Sequence, residues 1–593
     1  MIIVQNFLHV DIKKFMQTKL LLLLLNTCLF SGCHLFPVLG KKESGKNSLW
    51  NHGAMVSIAN PHAVEAAIAI LEKGGSAVDA AIGAHVILGL VEPQSSGLGG
   101  GGFLLHYDYG KEKLTFIDGR ETAPGEATFD MFMKDDGTVM DFLEAWPSGK
   151  AVGTPGIVAL YSTAHAAHGV LPWSELFNHG IALAENGFIV SPRLANFLVT
   201  AQTKGRLAIN AKTKKYFFPD GEPLQEGDRL TNIEYANTLK RIAKEGESAF
   251  YSGPIAESIV AAVQEDPYPG ALTLSDIRNY KTVIRPVICG RFRDMNICTT
   301  SPPSSGVAQI MITGLYDHLV KNKANQDDKV AAFVDAQRLA YADRDHYFGD
   351  PDEVDIPLDA LLNPTYLKHR ANERFNPSEK PTPGNPALVI DTLAVIPKWG
   401  RDNTLEAAGT THLSIVDGNG NAVAMTATIE SAFGSQRWAA GFLLNNEMTD
   451  FAREVPADGT RLANAVAPNR RPRSSMSPTM IFDSNNQLLM ITGSPGGNSI
   501  PAYVSKTIVG VFDWSLNAQQ AVDWPNIIAR GDSVRVEIAN NKGKMIAANL
   551  AKQGYNVVEN LSENSGIHLI IVTPNGLDGA ADKRREGMVK SIK

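Results

Sequence analysis

Residues 411–429 read as a strand that folds back on itself. Thr411-His412-Leu413-Ser414-Ile415-Val416 has strand character, Asp417-Gly418-Asn419-Gly420-Asn421 is a dense turn signal, and Ala422–Ile429 reads as the returning strand. This hairpin constrains the chain more tightly than any other segment, because a turn fixes the register of the strands it joins. With the turn centred on Asn419, Thr410 lies opposite Thr428, and a slip of one residue leaves them diagonal neighbours. Local sequence alone thus brings two threonine hydroxyls together at the head of a strand. Taken alone, such a pair is ordinary cross-strand stabilisation.

The peptide bond in front of Thr410 gives the pair a chemical reading. Gly409 offers an unhindered carbonyl and tolerates a strained backbone. A threonine hydroxyl beside it can attack that carbonyl, carry the acyl group as an ester and lose it to water. The product is a chain beginning at Thr410. Its free α-amine, with an ordinary pKa of about 7.7–8.0, serves as general base for its own hydroxyl. This is the N-terminal-amine route to activating a weak nucleophile.

At 593 residues the chain exceeds what one compact core usually organises, so two domains, or one domain of two lobes, are expected. Apolar residues at 44% and charged residues at 20% fit a globular protein, and a net charge of -7 gives no reason to expect nucleic acid as a partner. Two short basic clusters, Lys212–Lys215 and Lys583–Arg585, read as solvated faces. Residues 1–33 read as a signal peptide: Lys13, Lys14 and Lys19 precede the apolar run Leu20–Leu25. Leu29-Phe30-Ser31-Gly32-Cys33 is similar to a bacterial lipoprotein signal with Cys33 as the lipidated residue. Export to the periplasm with an anchor at Cys33 is the expectation, and residues 34–50 read as a tether. Cys289 and Cys298 flank a hairpin-like segment, where they either pair across strands or stay two half-buried thiols. No Cys-x-x-Cys or His-Glu-x-x-His pattern occurs, so no metal and no other cofactor is expected.

His62–Lys73 and Ala77–Leu90 have helical apolar spacing, separated by Gly74-Gly75 and a capping Ser76. Gly97–Gly102 leads into a strand, Phe103–Tyr107. This glycine run fits Gly-x-Gly-x-x-Gly, but the dinucleotide fingerprint needs a strand before it and a helix after it, the reverse of the order here. Arg285–Ser301 is strand-rich, Val330–Tyr347 is a long helical pattern, and Arg401–Ala408 has so little periodicity that it reads as an exposed connection. Beyond Gly409 strands dominate, at Thr479–Phe482 and Leu488–Thr492 as well, before helices return at Ile500–Phe512 and Ile546–Gln553. The pattern predicts layered sheets covered by helices.

Gly409-Thr410-Thr411-His412-Leu413-Ser414-Ile415-Val416-Asp417 resembles the processing site of the γ-glutamyltranspeptidases, members of the N-terminal nucleophile hydrolases. The likeness extends to Ser96–Phe103, Arg120-Glu121-Thr122-Ala123-Pro124 and Gly153-Thr154-Pro155-Gly156 before that site. After it come Ser474-Ser475-Met476-Ser477-Pro478-Thr479 and Gly493-Ser494-Pro495-Gly496-Gly497. These blocks run in the family's order from about residue 51 to the C-terminus. The resemblance implies an α/β (α+β) fold, a four-layer αββα sandwich with an additional helical region in the large subunit. It implies autocleavage between Gly409 and Thr410 into a large subunit, 51–409, and a small catalytic subunit, 410–593, held as a heterodimer. Such an enzyme cleaves a γ-glutamyl donor such as glutathione through a γ-glutamyl ester on Thr410, and passes the acyl group to water or to an amino acid or peptide acceptor.

The same resemblance implies roles. Thr410 is the nucleophile, with Thr428 beside it. Arg120 clamps the donor α-carboxylate, a task suited to the bidentate guanidinium, with help from Ser474 and Ser475. Asp450, Glu447 and Glu430 hold the α-ammonium. Gly496 and Gly497 present backbone N–H groups to the oxyanion. The bland counterparts are a salt bridge between Arg120 and Glu121, turn chemistry at the serines and an ordinary glycine turn. Two departures stand out: Arg473 lies where the family usually has leucine, and Ala452–Ala463 is intermediate in length as a substrate-covering loop. Alternative readings are a related acylase acting on cephalosporin side chains, an enzyme of poly-γ-glutamate, and an uncleaved lipoprotein that keeps the fold for binding.

Overall fold

Alternation along the strands builds two sheets that share a core. In chain order their strands are β1 (Ala54–Ile58), β2 (Gly101–Asp108), β3 (Lys113–Gly119), β4 (Val283–Arg285), β5 (Val287–Phe292), β6 (Met295–Thr300), β7 (Gly409–Val416), β8 (Ala422–Glu430), β9 (Thr479–Phe482), β10 (Leu488–Gly493), β11 (His568–Thr573), β12 (Gly576–Ala581) and β13 (Met588–Ile592). One sheet runs β13-β1-β7-β8-β2-β3-β4 and the other β12-β11-β10-β9-β6-β5. The computed structural model describes residues 50–593 apart from 135, 201–206, 208, 324, 374–375, 390–397 and 454–458. The signal segment with Cys33, and residues 34–49 of the tether, lie outside the described residues.

Helices α1 (Pro61–Glu72), α2 (Ala77–Val91) and α3 (Ile157–His168) cover the outer face of the first sheet. The second sheet is covered by α4 (Gly306–Leu319), α6 (Ile500–Phe512) and α7 (Ala518–Asp523), with α5 (Gln326–Tyr347) packed on α4. The two sheets face each other, which gives the four-layer αββα sandwich. Helices between Asn178 and Asn279 extend this architecture beyond α2. Ser76 starts α2 through a reciprocal capping box with Asp79.

The period of two sorts the central strands. Leu104, Leu413, Ile415, Val423 and Met425 belong to the core under the α1–α3 layer, whereas Phe103, Leu105, Val416 and Ala424 belong to the core between the sheets. Thr410, His412, Ser414, Thr426 and Thr428 therefore share the inter-sheet face. Buried polar groups need partners there, and His412 supplies them, bonding Thr426 Oγ1 at 2.8 Å and Ser414 Oγ at 3.1 Å.

Cys289 and Cys298 face each other across β5 and β6 and form a disulfide. The terminal strands β1, β11, β12 and β13 go beyond the sequence expectation. β13 closes the first sheet against β1, pairing Ala54 with Ile592.

Candidate active site

The hairpin register is the one set by its turn: Thr410 pairs with Thr428, and Ala422 with Val416. The Thr410 hydroxyl donates to Thr428 Oγ1 at 3.2 Å, and the Thr428 hydroxyl donates to the Gly409 carbonyl at 2.8 Å. Thr428 Oγ1 also accepts the Glu430 N–H at 2.8 Å, so this one hydroxyl is fully used. Between Thr428 and Glu430 the register shifts, and Glu430 takes a left-handed φ of 76°. Such a bulge re-aims a side chain. It turns the Glu430 carboxylate toward the Ala407 N–H (2.7 Å), Ser431 and Asn446.

Arg120 follows β3 and is fully buried. Its guanidinium pairs with Glu447 and, at 2.6 Å, with Asp450, and donates to the carbonyls of Pro472 (3.2 Å) and Arg473 (3.0 Å). Glu121, the partner expected of a simple salt bridge, stands off at 3.8 Å. Glu447 and Asp450 share one short turn, anchored by Asn445, whose side chain bonds Gly99 O, Gly153 N, Gly153 O and Glu447 N. The glycine run is what admits this turn. A Cβ on Gly99 would lie 2.1 Å from Leu443 O, and one on Gly100 would lie 2.0 Å from Thr428 O.

One guanidinium thus faces several carboxylates. Burial first, then Asp450 and Glu430, hold the Glu447 carboxyl well above the usual range despite Arg120. Burial and then Glu430 do the same to Asp450. Glu430 is raised by burial against the hydrogen bonds that favour its charge. Chemically, this end of the site accommodates an incoming cation.

The other end is rich in arginine. Arg344 on α5 donates to Ser475 Oγ (2.7 Å) and Ser305 Oγ (2.8 Å), and pairs with Glu406. Ser474 accepts the Met476 N–H at 3.2 Å through its hydroxyl. Arg473 is buried and pairs with Asp402 at 2.9 Å and Glu406 at 3.6 Å. Burial works to raise Glu406, but Arg344 and Arg473 outweigh it and hold the carboxyl below its usual range. The segment 401–408 is therefore only in part the exposed connection expected from its lack of periodicity: Asn403 and Leu405 are exposed. Asp402 and Glu406 are buried, and the segment lies across the site as a strap.

Thr410, Thr428, Arg120, Glu430, Glu447, Asp450, Ser474, Ser475 and Gly497 all line one cavity. With Glu406 and Ala407 also in its wall, only about 10 Å³ is left, room for roughly one water. Gly496 lines a neighbouring cleft that shares Glu406 and Ala407 with this cavity. Gly497 abuts the strap itself: a Cβ there would lie 2.3 Å from Glu406 O and 2.4 Å from Ala407 O. The Gly409 carbonyl is met instead by the Thr428 hydroxyl.

Two contributors go beyond the sequence reading. Arg344 sits in a helix that is buried on nearly every side, and its signal was the charge density of Asp343-Arg344-Asp345 after the apolar stretch Val330–Val334 and the run Leu339–Ala342. Arg585 belongs to the cluster expected to be solvated. Only Lys583 is; Arg585 is buried and donates to the Thr410 carbonyl at 2.7 Å. Loop 452–463 is described only in part, since 454–458 lie outside the described residues.

Similarity to known proteins covers nearly the whole chain. The family model described as Gamma-glutamyltranspeptidase matches residues 63–592. The chain is 35% identical over 550 residues to the glutathione hydrolase proenzyme of Bacillus subtilis (strain 168), covering 91% of each protein. It is 36% identical over 549 residues to the glutathione hydrolase proenzyme of Escherichia coli (strain K12), covering 89% of this chain and 90% of that one. Among solved structures, the cephalosporin acylase from Bacillus halodurans superposes with a TM-score of 0.80 at 24% identity, over 95% of this chain and 100% of that one, a likeness of fold.

Proposed function

The chain belongs to the gamma-glutamyltranspeptidase family, and on that premise we propose that it is a self-processing γ-glutamyltransferase and glutathione hydrolase whose nucleophile is Thr410. The observation that carries this reading is the relay from Thr410 through Thr428 to the Gly409 carbonyl. In the first reaction Thr410 Oγ1 attacks the Gly409 carbonyl carbon. An ester forms, the C–N bond breaks, and the proton given up by the Thr410 hydroxyl passes to the nitrogen, which becomes the free α-amine. Water hydrolyses the ester, which leaves a carboxylate on Gly409 and a free α-amine on Thr410.

In the second reaction that amine takes the proton of the Thr410 hydroxyl as Oγ1 attacks the γ-carbonyl of the donor, then gives it to the leaving amine as the amide C–N bond breaks. Water or an amino acid or peptide amine resolves the γ-glutamyl ester. Arg120, Ser474 and Ser475 receive the donor α-carboxylate, while Asp450, Glu447 and Glu430 receive its α-ammonium. The excess of buried carboxylates over guanidinium at that end supports an amino-acid head group. Gly496 and Gly497 serve the oxyanion of this second reaction, after the strap has cleared them.

Cleavage at Gly409 leaves residues 51–409 and 410–593 as a heterodimer. β7 and β8 hydrogen-bond to β1 and β2, so strands from both sides of the cut alternate within one sheet and hold the fragments together. The proposal includes export to the periplasm, with Cys33 as the anchor, on the strength of the leader sequence. The test of function is direct: the purified protein, supplied with glutathione, releases glutamate in water and γ-glutamyl peptides when a dipeptide acceptor is added. No release from glutathione or from a γ-glutamyl anilide contradicts the assignment.

A further inference from the structure

Next to the Thr410 cavity, sharing Glu406 and Ala407 with it and lined also by Leu405 and Ala408, lies an open cleft of about 480 Å³. Its walls carry four cations, Lys380, Arg401, Arg530 and Arg535, against two carboxylates, Asp345 and Glu406. Both carboxylates are already engaged. Asp345 pairs with Arg530 at 3.0 Å and with Arg344 at 3.1 Å, and Glu406 pairs with Arg344. Arg535 is matched by Glu563 at 2.6 Å.

Lys380 and Arg401 are left over. Lys380 donates to Asn403 Oδ1 at 2.9 Å and Arg401 to the Pro381 carbonyl at 3.1 Å; among the described residues neither pairs with a carboxylate. Among the described residues the Arg401 Nε–H is buried without an acceptor. A buried donor on an unpaired cation is costly to leave unmet, and an arriving anion removes that cost. Burial first, and then Arg401, hold the Lys380 ammonium below its ordinary range, as expected of two cations that await a counter-charge.

The cleft adjoins the chemistry. Gly496 and Ala408 line it, while Gly497 and Thr410 line the pocket next door, and Ala407 borders both. Ala408 is two residues from Thr410, hence within about 7 Å of it along the chain. When the donor head group sits on Arg120 and the serine pair, its amide lies at Thr410. The amine half then extends into adjoining space. Arg401 is also fixed independently of residues 403–409. Gly400 N–H donates to Arg461 O at 2.9 Å and Asp402 N–H to Asp345 O at 2.9 Å, while the Asp402 carboxylate is held by Arg473 and Asn464, each at 2.9 Å.

We propose that Lys380 and Arg401 form a carboxylate-binding subsite for the amine half of the reaction. It takes the leaving group released from the donor and the acceptor that replaces it, and it favours amines bearing a free carboxylate, such as the dipeptide released from glutathione. The inference rests on the γ-glutamyl-transfer reading above.

The test compares two donors on the cleaved Lys380→Gln/Arg401→Gln double variant: glutathione, and γ-glutamyl-p-nitroanilide, whose leaving group has no carboxylate. KM for glutathione rises about five- to tenfold, the scale of a half-exposed ion pair, while KM for the anilide stays within about twofold. The unaltered enzyme, with no substitution at all, also prefers glutathione to its C-terminal amide by about the same factor. Parallel KM changes for both donors, or no preference for acid over amide, overturns the subsite. Failure of the unaltered enzyme to hydrolyse the anilide overturns instead the γ-glutamyl reading beneath it.

Discussion

Thr428 places its hydroxyl 2.8 Å from the carbonyl oxygen of Gly409 and donates to it. The same oxygen atom of Thr428 accepts from the Thr410 hydroxyl. One side chain therefore touches both the proposed nucleophile, Thr410, and the peptide bond that the proposed self-cleavage breaks. A fixed donor at a developing oxyanion is worth about 100- to 1000-fold in rate. Thr428→Ala is expected to slow self-cleavage by that order, while Thr428→Ser, which keeps the hydroxyl, cleaves at a rate much nearer the original. The rate of fragment appearance on denaturing gels separates the two. Equal rates for Ala and Ser variants contradict the role.

Arg120→Lys keeps a charge but loses the planar fork that reaches Glu447, Asp450 and two backbone carbonyls. The expected result is normal cleavage with a KM for the γ-glutamyl donor raised about tenfold or more. An unchanged KM removes Arg120 from donor binding.

Glu447 and Asp450 sit well above the ordinary carboxylate range, chiefly through burial. An ammonium docked beside them favours their charged forms, so their pKa values fall on binding and protons are released. Affinity for glutamate then rises with pH from the ordinary carboxylate range up to the raised values, and levels off above them. Calorimetry in buffers of different ionisation heat reads the released protons directly. Proton uptake on binding, or no proton release at any pH between the ordinary carboxylate range and neutrality, contradicts the assignment of these residues to the ammonium.

Gly497 has a φ of 55°, and its α-carbon faces the strap carbonyls at contact distance. Alanine is disfavoured there both by backbone conformation and by space. Gly497→Ala is expected to displace residues 406–407 and to retard or abolish cleavage, whereas Gly418→Ala, where a Cβ meets nothing within 4 Å, leaves it unchanged. Wild-type cleavage of Gly497→Ala contradicts the packing of the strap on this turn.

The hairpin was legible because its register is local: a turn of five residues places Thr410 and Thr428 with no help from the rest of the chain. The start of α2 was legible for the same reason, since Ser76 and Asp79 cap it within one turn. The strap was not, because its burial depends on Arg344 and Arg473, each more than sixty residues away, and no periodicity in residues 401–408 records those partners. Arg585 was misjudged because basic clusters read alike whether solvated or buried, and only the return of the chain end to Thr410 distinguishes it. The pairing of β1 with β13 spans the whole described chain, and the outer strand is short, half polar and at a sheet edge, so neither hydrophobic alternation nor a turn announces it.

The central claim is that the chain cuts itself between Gly409 and Thr410 and acts from the new terminus. Intact mass with N-terminal sequencing of the purified protein tests it most directly, with Thr410→Ala alongside. The expected result is a fragment of residues 410–593 beginning Thr410-Thr411-His412-Leu413, with the Thr410→Ala protein remaining one chain. A single uncut chain after long incubation, a cut elsewhere, or a cleaved Thr410→Ala protein contradicts it.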